Sequence, residues 1–391
     1  VIENVSRVKT SIGSGFYVSE DGLLVTNYHV ISAAVWDPDK YQIDLVYQDG
    51  TTKEVELLYL DVVHDLALVR APVSESGFFS IAATPPSVGE KIYSFGNPQD
   101  LGFTIVEGNY NGPIRESRLE KLNFSGSLNP GMSGGPAINS DGEIVGVNVS
   151  TAGNQLSFLV PSRFVSDMLL KYTELEGKGA QDFRDRFTLS NKLFLKLVEE
   201  QILSDQQEKF AEILGAPLET VSLGNFRVPS RLIPSLKCWS TAKDRKEQGY
   251  EYLNHICSTT ELIFVNSQQK VGNLFLFYLL LKNKGLNQFS FASTVENILK
   301  EYDDGRGGAK DKVTNYLCVR DFVETGGTNY WVNVCLRRYK KMPQLYDLSI
   351  VGASVDSSER ALLTYSNVSA ISYRNAKLFV RAFMEALEWS Q

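Results

Sequence analysis

Three short segments hold residue types that together can transfer an acyl group. Leu24-Val25-Thr26-Asn27-Tyr28-His29-Val30 ends an apolar run on an imidazole, and Val63-His64-Asp65-Leu66-Ala67-Leu68-Val69 puts a carboxylate at the head of another. Asn129-Pro130-Gly131-Met132-Ser133-Gly134-Gly135-Pro136 sets a serine among glycines. A serine hydroxyl is a weak nucleophile until an imidazole takes its proton, and the imidazole needs a carboxylate to fix its tautomer. His29, Asp65 and Ser133 fit these roles. The glycines permit a tight turn that aims amide N–H groups at a reacting carbonyl oxygen, and Gly131 and Ser133 are the expected donors. Singly, each segment has a plainer reading: a turn, a solvated strand-end charge, a structural histidine. His64, one of three histidines, is a rival base, but next to Asp65 on a strand it would point to the opposite face.

Such residues need rigid elements to hold them. From Arg7 to about Val160 the chain reads as short strands broken by Gly, Pro, Asn and Asp turns: 15–18, 23–26, 42–47, 54–60, 66–70, 91–95, 102–107, 135–139, 143–149 and 156–160. Their spacing is that of a barrel or sandwich, not of βαβ units. A helix after Pro161 carries Phe164, Val165, Met168, Leu169 and Tyr172 at helical spacing. The polar run from Glu174 marks a boundary, giving domains over 1–175 and 180–391. The second opens helical around Leu193–Val198, with Ser204 and Gln207 placed as a capping box for another helix that Gly215 ends. Strand-like runs near 218–224, 232–240, 251–266 and 271–282 follow, then a helix at 293–302, a hairpin at 314–339, a strand at 345–354 and a terminal amphipathic helix. This predicts an α+β domain with an antiparallel sheet and flanking helices.

Composition narrows the function. With 43% hydrophobic and 22% charged residues the chain is an ordinary globular sequence. The longest apolar run, Leu274 to Leu281, is far short of the ~20 residues of a spanning helix. The net charge of −7 has the wrong sign for binding nucleic acid or an anionic membrane. It is uneven: residues 1–173 carry −9 and residues 174–391 carry +2.

The segments taken together resemble the trypsin-like serine proteases, most closely the HtrA (Deg) family. The resemblance rests on Gly13-Ser14-Gly15-Phe16, Thr26-Asn27-Tyr28-His29-Val30, Asp65-Leu66-Ala67 and Gly131-Met132-Ser133-Gly134-Gly135-Pro136, and continues through Gly142–Asn148 and Phe158–Ser162. It covers residues 1–173. It implies a chymotrypsin-like double β-barrel with His29 and Asp65 on the first barrel and Ser133 on the second, no cofactor and no metal. Met132 replaces the asparagine usual in that family, and its side chain is expected to matter little. The resemblance also places the substrate pocket at Ser127 and Leu128, opposite Val149 and Phe158. With no carboxylate there, an aliphatic or small apolar side chain is expected on the acyl side of the cut bond. No peptide-binding PDZ signature follows, and the oligomeric state stays open.

The four cysteines lie in the second part. A Gly326-Gly327 hairpin turn opposes Thr325 to Thr328, and the same register opposes Cys318 to Cys335. A hairpin through Lys243–Gly249 would join Cys238 to Cys257. The alternative is four buried thiols; a metal site from His255, Cys257 and Cys238 lacks a fourth ligand at suitable spacing. Two disulfides imply an oxidising compartment, a bacterial periplasm or the outside of the cell. The expected activity is ATP-independent serine endopeptidase action on unfolded polypeptide, with residues 180–391 gating the site, recruiting substrate or binding a protein partner. The competing reading is a catalytically idle protease fold that binds through its second domain.

Overall fold

The computed structural model describes residues 11–72, 77–151, 156–177, 191–259, 261–266, 269–303 and 312–389. The chain forms two compact units, the first of Val1–Gln201 with Ile263–Lys270 and the second of Ile202–Leu262 with Val271–Gln391. Helix α2 (Ser162–Gly177) ends near the boundary expected at 175–180, whereas the first compact unit runs on to Gln201 and takes in Ile263–Lys270.

In the first unit, strands β1 (Phe16–Tyr17), β2 (Leu23–Thr26), β5 (Glu56–Asp61) and β6 (Leu66–Arg70) make a four-stranded antiparallel sheet in the order β1-β2-β6-β5. Helix α1 (Tyr28–Trp36) follows β2 directly, and β3 (Asp44–Val46) pairs only with β4 (Thr52–Glu54). Thr52–Glu54 is exposed throughout, and the ribbon meets the open sheet through Leu45, which packs with Leu24 and Val69. Six strands, β7 (Lys91–Gly96), β8 (Thr104–Pro113), β9 (Leu122–Phe124), β10 (Pro136–Ile138), β11 (Ile144–Thr151) and β12 (Ser157–Pro161), close into a barrel. The expected double barrel is thus one closed barrel and, among the described residues, one open sheet with a separate ribbon.

Strand β11 explains how the two are joined. Val145 faces the barrel interior with Ile92, Phe124, Leu128 and Met132, while Ile144 and Val147 pack with Val25, Leu66 and Leu68 of the open sheet. Val165, Met168 and Tyr172 of α2 close that second core, their i, i+3, i+7 spacing giving one helical face.

In the second unit β13 (Thr220–Leu223) pairs with β14 (Phe226–Pro229), and the unit is built on a seven-stranded antiparallel sheet. Its strands are β15 (Leu236–Arg245), β16 (Tyr250–Thr259), β19 (Leu274–Asn283), β20 (Leu317–Thr325), β21 (Thr328–Arg338), β22 (Leu345–Ser354) and β23 (Arg360–Ser372). Their order is β15-β16-β19-β23-β22-β21-β20. The apolar run at 274–281 is an interior strand buried on both faces. Leu274, Leu276, Tyr278 and Leu280 belong to one core and Phe277, Leu279 and Leu281 to the other. Helix α3 (Asn191–Leu214) is continuous. Ser204 and Gln207 sit inside it, so no capping box starts a second helix there; without glycine or proline, nothing interrupts the backbone ladder. Helix α4 (Gln288–Asp303) covers the second core, and α5 (Tyr373–Glu385) sends Ala376, Phe379 and Phe383 into the first.

Ser372 caps α5, its hydroxyl accepting from the Asn375 amide at 3.1 Å. Ser372→Ala is expected to cost about 1 kcal/mol, read as a lower denaturation midpoint at unchanged slope. Cys238 faces Cys257 across β15–β16 and Cys318 faces Cys335 across β20–β21, each pair joined by a disulfide bond. No helix among the described residues is long and apolar enough to cross a membrane.

Candidate active site

Helix α1 brings its own N-terminal amide to the aspartate. The first amides of a helix lack partners within it, and here residues of the preceding turn and Asp65 take them up. The Asp65 carboxylate accepts from the His29 amide through Oδ1 at 2.8 Å and meets His29 Nδ1 through Oδ2 at 2.6 Å. The Asp65 carbonyl accepts from the Tyr28 amide at 3.1 Å and from Asn27 Nδ2 at 2.8 Å. Four contacts to one buried residue fix the imidazole by both its backbone and its ring. Asp65 reaches this position from the turn before β6, not from the strand, with φ of 59°, a left-handed conformation that aspartate tolerates better than most residues.

His64 lies in the same turn and is held elsewhere. Its Nδ1 meets Asp61 Oδ2 at 2.8 Å, its amide donates to Asp61 Oδ1 at 3.1 Å, and its ring stacks 3.7 Å from that of Phe164. Because these residues turn, His64 is separated from His29 by its own carboxylate partner and not by strand alternation.

Ser133 stands in a loop braced from three sides. Its carbonyl accepts from the Ser14 amide at 2.7 Å, and Ser14 Oγ donates to the Gly131 carbonyl at 2.8 Å. Asn148, fully buried in β11, donates through Nδ2 to the Phe95 carbonyl at 2.9 Å and to the Met132 carbonyl at 3.2 Å. The Asn148 carbonyl accepts from the Gly134 amide and its amide donates to the Gly135 carbonyl, both at 2.9 Å. A Cβ on Gly134, whose φ is +85°, would lie 2.4 Å from the Ser14 carbonyl oxygen, and one on Gly135 2.1 Å from that of Phe95. Both positions therefore need glycine. Among the described residues the Gly131 and Ser133 amides donate to no protein group. The Ser133 hydroxyl donates to the Val149 carbonyl at 3.3 Å. Met132 is fully buried against Gly96, so its side chain anchors the loop to the barrel, more than the sequence led us to expect.

The pocket candidates fall into different surroundings. Ser127 is exposed, Leu128 is in the barrel core and its amide donates to Ser157 Oγ at 3.1 Å, and Val149 and Phe158 belong to the core shared with the open sheet. In the second unit, Cys238, His255 and Cys257 lie together, but the sulfurs are bonded to each other. The two imidazole nitrogens of His255 meet Ser230 and Ser240 hydroxyls, each at 2.8 Å. As it stands this cluster presents no open ligand set.

Sequence reasoning did not single out Ser14 or Asn148 as braces. Asn148 carried a signal, an amide inside the otherwise apolar stretch Val145–Val149 that must find partners when buried.

The trypsin-like peptidase domain family matches residues 13–147. Serine protease HTRA3 of Homo sapiens is 31% identical over 195 residues, which are 46% of this chain and 42% of that protein. Serine protease HTRA4 of Homo sapiens is 32% identical over 199 residues, 47% of this chain and 38% of that protein. The crystal structure of the serine endoprotease from Yersinia pestis aligns with 42% of this chain and 58% of that chain, at 28% identity and a TM-score of 0.37. The chain thus spans less than half the length of these two curated relatives. Residues 13–147, which hold the glycine-bound serine loop and the His29–Asp65 pair, thus match the trypsin-like peptidase domain family, and this part of the chain is similar to HtrA serine proteases.

Proposed function

We propose that the chain is a serine endopeptidase that cuts unfolded or exposed polypeptide without ATP. The observation that carries this reading is the Asp65 carboxylate holding both the amide and Nδ1 of His29 in a domain matched as a trypsin-like peptidase. With its Nδ1 proton directed at Asp65, the imidazole leaves Nε2 free to accept the Ser133 proton. Ser133 first turns about its Cα–Cβ bond, releasing the Val149 carbonyl, and Oγ then attacks the scissile carbonyl. The Gly131 and Ser133 amides receive the oxyanion, and His29 returns the proton to the leaving amine. Asp65 stays ionised and stabilises the imidazolium. The disulfide bonds support an oxidising compartment, periplasmic or secreted. The role of the second unit in this scheme is to recruit substrate or a protein partner.

An alkyl fluorophosphonate reacts only with an activated serine, so it tests the reading directly. Labelling of the unaltered protein and none of Ser133→Ala is the expected result; an unlabelled protein would leave the fold as an idle binding scaffold.

The pocket assigned to Ser127, Leu128, Val149 and Phe158 predicts cuts after Val, Ala, Ile or Leu, with little discrimination among them, because one methylene in an apolar pocket is worth about 1–3 kcal/mol. Cleavage-site sequencing on a reduced, unfolded protein checks this. A majority of cuts after Lys or Arg would overturn the pocket assignment while leaving the triad intact.

A further inference from the structure

The first unit includes a segment, Ile263–Lys270, flanked on both sides in sequence by residues of the second. Strand β17 (Ile263–Asn266) in this segment pairs with β18 (Gln269–Val271). Alternation along β17 buries Ile263 and Val265, at 2% and 0% exposure, and leaves Phe264 half-buried on the other face. The Val265 carbonyl accepts from the Tyr28 hydroxyl at 2.6 Å. Burial, reinforced by the nearby Asp65 charge, pushes the Tyr28 phenol well above its ordinary range, so it remains a donor. Tyr28 immediately precedes His29. On that same side the Phe264 ring stacks on the His29 imidazole, with centroids 4.8 Å apart and planes at 27°. The exposed Lys270 ammonium lies 4.4 Å from the Phe264 centroid.

Resting on the peptidase reading above, we propose that Phe264 is a specificity-determining wall of the cleavage site, selecting peptides with an apolar side chain beside the cut bond. One edge of the imidazole is occupied by Asp65, and in that reading the opposite nitrogen serves Ser133. A peptide whose scissile carbonyl sits at Ser133 Oγ must therefore pass the remaining surface of the ring, one face of which Phe264 covers. A side chain flanking the cut bond meets an aromatic surface there. An apolar group gains by leaving water; a charged one loses hydration without a partner. The Lys270 ammonium further disfavours lysine and arginine. The segment is a fixed wall and not a plug, because Ile263, Val265 and Asn266 are buried, Tyr28 anchors the strand, and Ser133 stays partly exposed.

The test uses the full chain and matched peptides that keep Leu on the acyl side of one cut bond, where the pocket assigned above acts, and differ only in carrying Leu, Ser or Lys at the other residues next to that bond. Phe264→Ala is expected to lower kcat/KM for the Leu peptide by about tenfold, chiefly through KM, and to bring the Leu and Ser peptides toward parity. Phe264→Tyr should retain the preference, and Tyr28→Phe should weaken it in the same direction by loosening the anchor. Fluorophosphonate labelling of Ser133 should persist in Phe264→Ala, since the probe carries no side chain for the wall. An unchanged Leu-over-Ser preference in a labelled Phe264→Ala protein would overturn this proposal alone. Equal loss on all peptides together with loss of labelling would overturn it in favour of a merely structural role. An unlabelled parent protein would instead overturn the peptidase reading on which it rests.

Discussion

His29→Ala is expected to lower kcat/KM on an unfolded substrate by about 10⁴- to 10⁶-fold, while His64→Ala leaves it close to that of the parent. The contrast is informative because the two histidines are bound alike. Each gives its amide and its Nδ1 to one carboxylate, His29 to Asp65 and His64 to Asp61. They differ in what the remaining ring surface meets. His64 lies flat on Phe164, whose other neighbour is the Arg163 guanidinium at 4.7 Å, whereas His29 belongs to the same braced region as Ser133 through Ser14, Thr26 and Asn27. Losing His64 should therefore show in stability, by about 1 kcal/mol for its hydrogen bonds, and not in turnover. Asp65→Asn should keep the fold but lower kcat by about 10⁴-fold, because an amide donor at that position favours the wrong imidazole tautomer. Steady-state kinetics on the three variants, with thermal midpoints alongside, decide the matter. Equal damage from His64→Ala and His29→Ala would reassign the base.

Strand positions in the first unit could be read from the chain because its strands are short, alternate or run apolar, and end at glycine, asparagine or proline. Helix α1 could not be read the same way. Tyr28–Trp36 follows β2 without a break in apolar character, and no element is assigned there from the chain. Yet its buried residues Tyr28, Ile31, Ser32, Val35 and Trp36 have the helical spacing that would have identified it. Strand β23 was hidden for the opposite reason. Thr364 and Ser366 occupy buried positions, at 2% and 1% exposure, so polar residues face inward and blunt the alternation on which strand recognition depends. At the candidate site, His29, Asp65 and Ser133 could be nominated from the chain because few residue types can do the proposed chemistry. Their supports were not. Asn148 shows in the chain only as an amide inside an apolar stretch, with nothing to name the Phe95 and Met132 carbonyls it meets, and Phe264 is brought to His29 by a contact between Tyr28 and Val265, 237 positions apart. No local pattern carries that information.

Removing either disulfide bond is expected to destabilise the second unit by about 3 kcal/mol, since each closes a loop whose entropy in the unfolded chain grows with its length; the separations are 19 and 17 residues. Their placement gives the effect a local character. In the order β15-β16-β19-β23-β22-β21-β20 the two outer strands are β15 and β20, and each carries one cysteine bonded to its inner neighbour. The bonds thus staple both edges of the sheet, where unpaired backbone groups can otherwise recruit other chains. The β20 edge has the greater need, because Leu317, Val319 and Phe322 are 81%, 71% and 67% exposed and would favour edge-to-edge pairing once the strand frays. Cys318 is itself exposed, whereas Cys257 is fully buried, so a reductant should open Cys318–Cys335 first. Hydrogen exchange after mild reduction should then accelerate in the β20 amides before those of β15, with a concentration-dependent loss of soluble protein. Simultaneous exchange at both edges would contradict the accessibility argument. Four titratable thiols in the unreduced, denatured protein would remove the staples and with them the case for an oxidising compartment.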